Sequence, residues 1–151
     1  MLSNRSDCVK QMEIMVRTFI LSFLLTAAVA LPLDLIWLTT MRSFYEQQMP
    51  GMLLPQPRLI PAILFYLTFA AGLAFFAVMP NLTGGSLLTA AAYGAALGFV
   101  AYGTYDATNY ATLKDFPLSI TVVDWCWGTI LSGTTASLAW LAMTWLGQTS
   151  R

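Results

Sequence analysis

The sequence predicts an all-α polytopic membrane protein, a single antiparallel bundle of four transmembrane helices. Of its 151 residues, 58% are hydrophobic and 9% charged, against about 25% charged in an ordinary soluble protein. Four separate stretches are long and apolar enough to cross a bilayer core, which takes about 20 helical residues. The joints between them are short or rich in proline, so neighbouring spans fold back on one another.

The first span is expected at 18–38, after a polar N-terminal segment at 1–17. Arg5, Lys10 and Arg17 precede it, and Ala28-Val29-Ala30 resembles a signal cleavage site. The apolar run continues through Leu31 to Leu38, which is too long for a signal core, so the reading is a retained span. Met12 and Met15 compete with Met1 as starts. The next segment carries Pro50, Gly51, Pro55 and Pro57, which prevents a continuous helix, although Ser43–Glu46 can prolong the first one at the interface. The second span is expected at 60–79, rich in Phe, Leu and Ala and free of charge, and so turned largely toward lipid. A short uncharged joint at 80–85 leads to the third span, 86–105. The fourth, 120–146, follows Pro117, and a short tail, 147–151, ends the single domain formed by 18–146. No alternation of a membrane β-barrel and no solenoid repeat competes.

Basic residues near span ends set orientation. Arg5, Lys10, Arg17 and Arg151 fall on one side, and Arg42, Arg58 and Lys114 on the other. Four against three favours both termini in the cytoplasm.

Small residues recur every four positions where spans can pack closely. The third span has Ala90, Gly94 and Gly98, the fourth has Gly128, Ser132 and Ala136, and the first has Ser22, Thr26 and Ala30. Gly94, Gly98, Gly128 and Ser132 are the expected helix-packing positions.

The functional classes narrow by absence. There is no histidine, which removes the usual haem, triad and most zinc chemistry. Two cysteines, Cys8 and Cys126, make no disulfide framework. No basic face is present for nucleic acid, and no motif calls for a metal or cofactor. What stands out is three carboxylates in or beside the spans: Asp34, Asp106 and Asp124. A charge at mid-membrane costs about 2.5–3.5 kcal/mol on insertion scales. Antiparallel threading brings all three toward one face, the outer one, with Trp37, Tyr102, Tyr105, Asn109 and Trp127 in the same layer. Each acid also has a structural reading. Thr121-x-x-Asp124 fits a capping box, Asp106 fits a helix end at the water surface, and Asp34 follows the carbonyl freed by Pro32. Carboxylates among aromatic faces suit a cationic or amine head group, or a lipid head group with hydroxyls.

The run Ala101-Tyr102-Gly103-Thr104-Tyr105-Asp106, with Thr108-Asn109 and Ala111-Thr112-Leu113, resembles the signature of a bacterial four-span membrane protein family of unknown function, DUF2177. The resemblance extends to Leu33-Asp34-x-x-Trp37-Leu38, Phe44-Tyr45, Phe65-Tyr66, Phe76-Ala77-Val78-x-Pro80, Pro117 and Asp124-x-x-Trp127-Gly128. It covers most of the chain from Met15 to about Ser132; the N-terminal segment, Tyr110 and Cys126 depart from it without touching the acids. The resemblance implies fold and membrane location, and no established activity.

Three functions fit these residues. One is a membrane protein that binds or modifies a lipid or amphipathic small molecule through the acidic and aromatic cluster. The others are an accessory subunit docking through its small-residue stripes, and a proton-coupled transporter working as a homodimer. No nucleophile or redox motif selects a reaction.

Overall fold

The structure is a computed structural model that describes residues 2–148; Met1 as a start and Arg151 in the charge count lie outside the described residues. Among the described residues the fold is all helical: α1 (Leu2–Gln48), α2 (Leu59–Leu73), α3 (Leu87–Thr112) and α4 (Leu118–Trp145). A π-helical turn, Ala74–Val78, and a 3-10 turn, Met79–Leu82, extend α2. Three of these helical stretches are long and apolar enough to cross a membrane: Asp7–Gln48, Leu59–Leu82 and Leu87–Thr112.

The expected first span and polar N-terminal segment are parts of one 47-residue helix. At ~1.5 Å per residue it is about 70 Å long, roughly twice the hydrocarbon core. Its early residues from Asp7 to Arg17 are exposed. Arg, Lys, Gln, Glu and Met are good helix formers, so polarity alone does not stop the helix there. Pro32 lies inside α1 and the helix continues through it. Its end at Gln48 comes just ahead of Pro50, which cannot continue it.

α3 begins with a capping box: Ser86 Oγ accepts from the Thr89 backbone and Thr89 Oγ1 accepts from Ser86 N–H at 2.8 Å. The capping box that is one reading of Thr121-x-x-Asp124 does not form. Pro117 is the N-cap of α4, and Thr121 instead returns its hydroxyl to the Pro117 carbonyl at 3.3 Å. Proline at the boundary pre-sets the chain there, so α4 starts a turn earlier than the Thr–Asp pair suggests. Asp124 therefore sits inside the helix.

The most extensive interface joins α3 and α4. Its seam is backbone-close. A Cβ placed on Gly94 would overlap Ala136 and the Ser132 carbonyl, one on Gly98 would overlap Ser132 and the Gly128 carbonyl, and one on Gly128 would fall in the Tyr102 ring. α1 meets α4 through Gln48 with Ser119, Tyr45 with Asp124 and Asp34 with Trp127. The apolar core gathers Leu73, Ala77, Val78 and Leu82 against Ala136, Ala139 and Met143. α2 leaves Leu59, Ile60, Ile63, Leu64, Phe65 and Leu67 exposed, an outward apolar face of the kind that lipid covers.

Replacing Gly98 with leucine is expected to lower unfolding stability in mild detergent by about 1–3 kcal/mol or more, because the Gly128 carbonyl and the short Ser132 side chain both block the new atoms. Gly72→Ala, whose nearest neighbour is Leu97 at 3.9 Å, is expected to leave the melting temperature unchanged or raise it.

Candidate functional site

At the end of α1 a cavity of about 520 Å³ opens between α1, α4 and the proline-rich segment. Asp34, Trp37 and Tyr45 come from α1, Tyr102 from α3, and Asp124 and Trp127 from α4. Met49, Met52, Leu53, Leu54, Pro55 and Pro57 form an apolar rim over it. The prolines that end α1 thus also shape this cover.

The two carboxylates are held by neutral donors. The Tyr66 hydroxyl donates to Asp34 Oδ2 at 2.6 Å, and the Trp127 indole N–H donates to Asp34 Oδ1 at 2.9 Å. The Tyr45 hydroxyl donates to Asp124 Oδ1 and accepts from Trp37 Nε1 at 2.9 Å. The Trp37 and Trp127 rings stack with centroids 4.2 Å apart and planes 5° from parallel. Hydrogen bonds and the ring stack therefore form one continuous network, Tyr66–Asp34–Trp127–Trp37–Tyr45–Asp124, across α2, α4 and α1. Tyr102 lies over Gly128 and meets Phe69 edge-on at 5.9 Å.

Neither Asp34 nor Asp124 pairs with a Lys or Arg among the described residues. Arg42, which also lines the cavity, is held by Glu46 at 2.8 Å in an exposed pair. Two carboxylates with no basic partner create a negative, aromatic-walled recess. It can hold a cation or accept a proton. Among the described residues no group of three or more Cys, Asp or Glu is arranged to hold a metal ion.

Five of the expected site residues meet here: Asp34, Trp37, Tyr102, Asp124 and Trp127. Asp106, Tyr105 and Asn109 do not line the cavity. Asp106 is fully buried in α3, six residues short of the helix end, and neither carboxylate oxygen has a hydrogen-bond partner. It is therefore not an acid at the water surface. Tyr105 is 65% exposed and points away from the bundle.

Tyr45 and Tyr66 complete the network, although they were not among the expected site residues. Tyr45 follows Asp34 by eleven residues, close to three full turns, so the two share a face. Tyr66 is the one phenol in the largely apolar α2. Both signals were present in the sequence as the Phe44-Tyr45 and Phe65-Tyr66 pairs.

A membrane protein with a half-buried acidic and aromatic network is the class these features define. Within that class, the chain belongs to the family described as "Predicted membrane protein (DUF2177)", which matches residues 19–141. Comparison with curated proteins and with solved structures gives no match.

Tyr66→Phe is expected to lower stability by about 1–3 kcal/mol, since it strips a donor from a buried carboxylate. Tyr105→Phe removes an exposed hydroxyl and is expected to leave it unchanged. Equilibrium unfolding of the two variants beside the wild type checks both.

Proposed function

We propose that this chain is an integral protein of a bacterial inner membrane that crosses the bilayer four times as an antiparallel bundle. In this reading both termini are cytoplasmic and the acidic cavity lies at the outer face. α4 supplies the fourth span at 28 residues. Its hydroxyls and tryptophans lower its apolar character, and its central position in the bundle explains why that is tolerated. Support for antiparallel neighbours comes from the pairing order. Gln48, Tyr45 and Asp34 meet Ser119, Asp124 and Trp127, and Gly94, Gly98 and Tyr102 meet Ala136, Ser132 and Gly128.

The function is binding of a lipid or amphipathic small molecule by its cationic head group. One observation carries this: two carboxylates share an aromatic-lined cavity, and its one basic side chain, Arg42, pairs with Glu46 and with neither of them. The stacked indoles and Tyr102 offer π faces to an ammonium group. The Met- and Leu-rich rim suits an attached apolar chain, because flexible methionines adapt to varied shapes. Modification of the bound molecule, with an aspartate exchanging a proton, uses the same groups.

The subunit and homodimer readings need faces free for docking. The α3 and α4 glycine stripes lie inside the monomer instead, which favours the binding reading.

Native mass spectrometry of gently solubilised wild type, Asp34→Asn and Asp124→Asn tests the proposal. The expected result is a copurifying small adduct on the wild type, displaced by a long-chain alkylammonium and not by an alkyl sulfate. Its occupancy should fall about 10-fold or more in both variants, given about 1.5–3 kcal/mol for a hydrogen bond to a charged group. A heavier protein partner retained by all three forms, with no adduct, would replace this reading with the subunit one.

A further inference from the structure

Hydroxyls inside a helix usually return a hydrogen bond to a carbonyl three or four residues back. Thr121, Thr129, Ser132 and Ser137 of α4 do so, Ser132 to Gly128 at 2.5 Å. Ser22 and Thr26 of α1 and Thr135 of α4 do not. All three are fully buried, and their hydroxyls have no hydrogen-bond partner. An unmet buried polar group costs about 1–3 kcal/mol, and in lipid no bulk water is at hand to relieve it.

Two of these exceptions, Thr26 and Thr135, fall on one level of the bundle, and Ser22 lies about one turn further along α1. The Asp34–Trp127 bond joins α1 to α4. Eight residues back along α1 is Thr26, and eight residues onward along α4 is Thr135. The Asp34–Tyr66 bond joins α1 to α2. The same step from Tyr66 reaches Ala74, the first residue of the π-helical turn, whose Ala74, Ala77 and Val78 are buried. That turn packs against α1, α3 and α4. A π turn widens the helix and re-aims its carbonyls, and such turns concentrate at functional sites.

We infer that this level is a water site: ordered water bound between Ser22, Thr26 and Thr135 beside the π turn. A buried water needs two to four polar partners, and three hydroxyls meet that need. The ligand is neutral, because the level holds no carboxylate; Asp34 is eight residues away, about 12 Å along the helix. Alanines 30, 136 and 139, all buried nearby on the same two helices, keep side-chain bulk low around it. The water gives α1 and α4 a directional tie at a depth where apolar packing alone would let them slide. The inference is independent of any ligand in the acidic cavity.

The sign of a stability change tests it. In the full chain in detergent, Thr26→Val and Thr135→Val keep shape and remove the hydroxyl. If water is bound, each lowers the melting temperature by a few degrees, and the double variant loses less than the two single losses added, since both contact the same water. If the level is dry, each valine removes an unmet polar group and the melting temperature rises, which overturns the inference. Radiolytic labelling of the wild type in ¹⁸O water is the second measurement, needed if a variant does not fold. Label on the fully buried Leu73, next to the π turn, is expected, and an unlabelled Leu73 overturns the proposal. So does a wild-type melting temperature that drops when sodium is exchanged for choline and no longer does so in Thr26→Val, which would put a cation there.

Discussion

Asp34 is the buried carboxylate to which the bundle brings donors from two neighbouring helices. It sits on α1 and takes its two hydrogen bonds from Tyr66 of α2 and Trp127 of α4. Two directional bonds from two helices fix both the depth and the rotation of α1 against its neighbours. The consequences travel outward. Trp127, held by its N–H, presents its face to Trp37. Trp37 turns its own N–H to Tyr45, which in turn serves Asp124. The needs of one acid thus set the position of the second.

α3 is organised by a different force. It sends no hydrogen bond into that network, and its bond to the bundle is contact. Between helices in lipid the hydrophobic effect is weak, so association relies on dispersion at short range. Gly94 and Gly98 let the α3 backbone lie against Ser132, Ala136 and Gly128. α4 therefore serves both regimes. It offers glycine, serine and alanine toward α3 and aspartate and tryptophan toward α1.

How much of this was legible depends on what each signal reports. Four-residue spacing reports a face, so Ser22, Thr26, Ala30 and Asp34 lie buried together on α1 as a stripe. The same spacing marked the α3 and α4 glycines. Asp34, Trp37, Tyr102, Asp124 and Trp127 could be grouped because a short uncharged joint and a proline-broken one limit how the helices can return. Other features needed the packed structure. The length of α1 was hidden because apolar character marks what lipid covers and not where a helix ends. Thr121 and Asp124 match a capping box in spacing, yet Pro117 had already started the helix. Asp106 is four residues from Tyr102, but each such step turns the face by about 40°, enough to take Asp106 out of the cavity that Tyr102 lines. The π turn at Ala74–Val78 has no breaker residue to announce it.

The choice of partner for the acids carries the functional argument furthest. A bundle that needed only to hold Asp34 and Asp124 could use lysine or arginine, and Arg42 is close enough to line the same cavity. It is held by Glu46 instead, and phenols and indoles solvate the two carboxylates. Neutral donors reach both oxygens of Asp34 and Oδ1 of Asp124 without cancelling the charge. An ion pair would have stabilised the acids and closed the site to a cation in the same act. The arrangement keeps a negative recess in a low-dielectric wall, where attraction for a positive group is stronger than in water. Tyrosine and tryptophan add π faces that reinforce the same preference. On the four-span reading, the recess also opens at a membrane face rather than at mid-membrane. A head group can then reach it while the attached chain stays in lipid, beside the methionines and leucines of the rim.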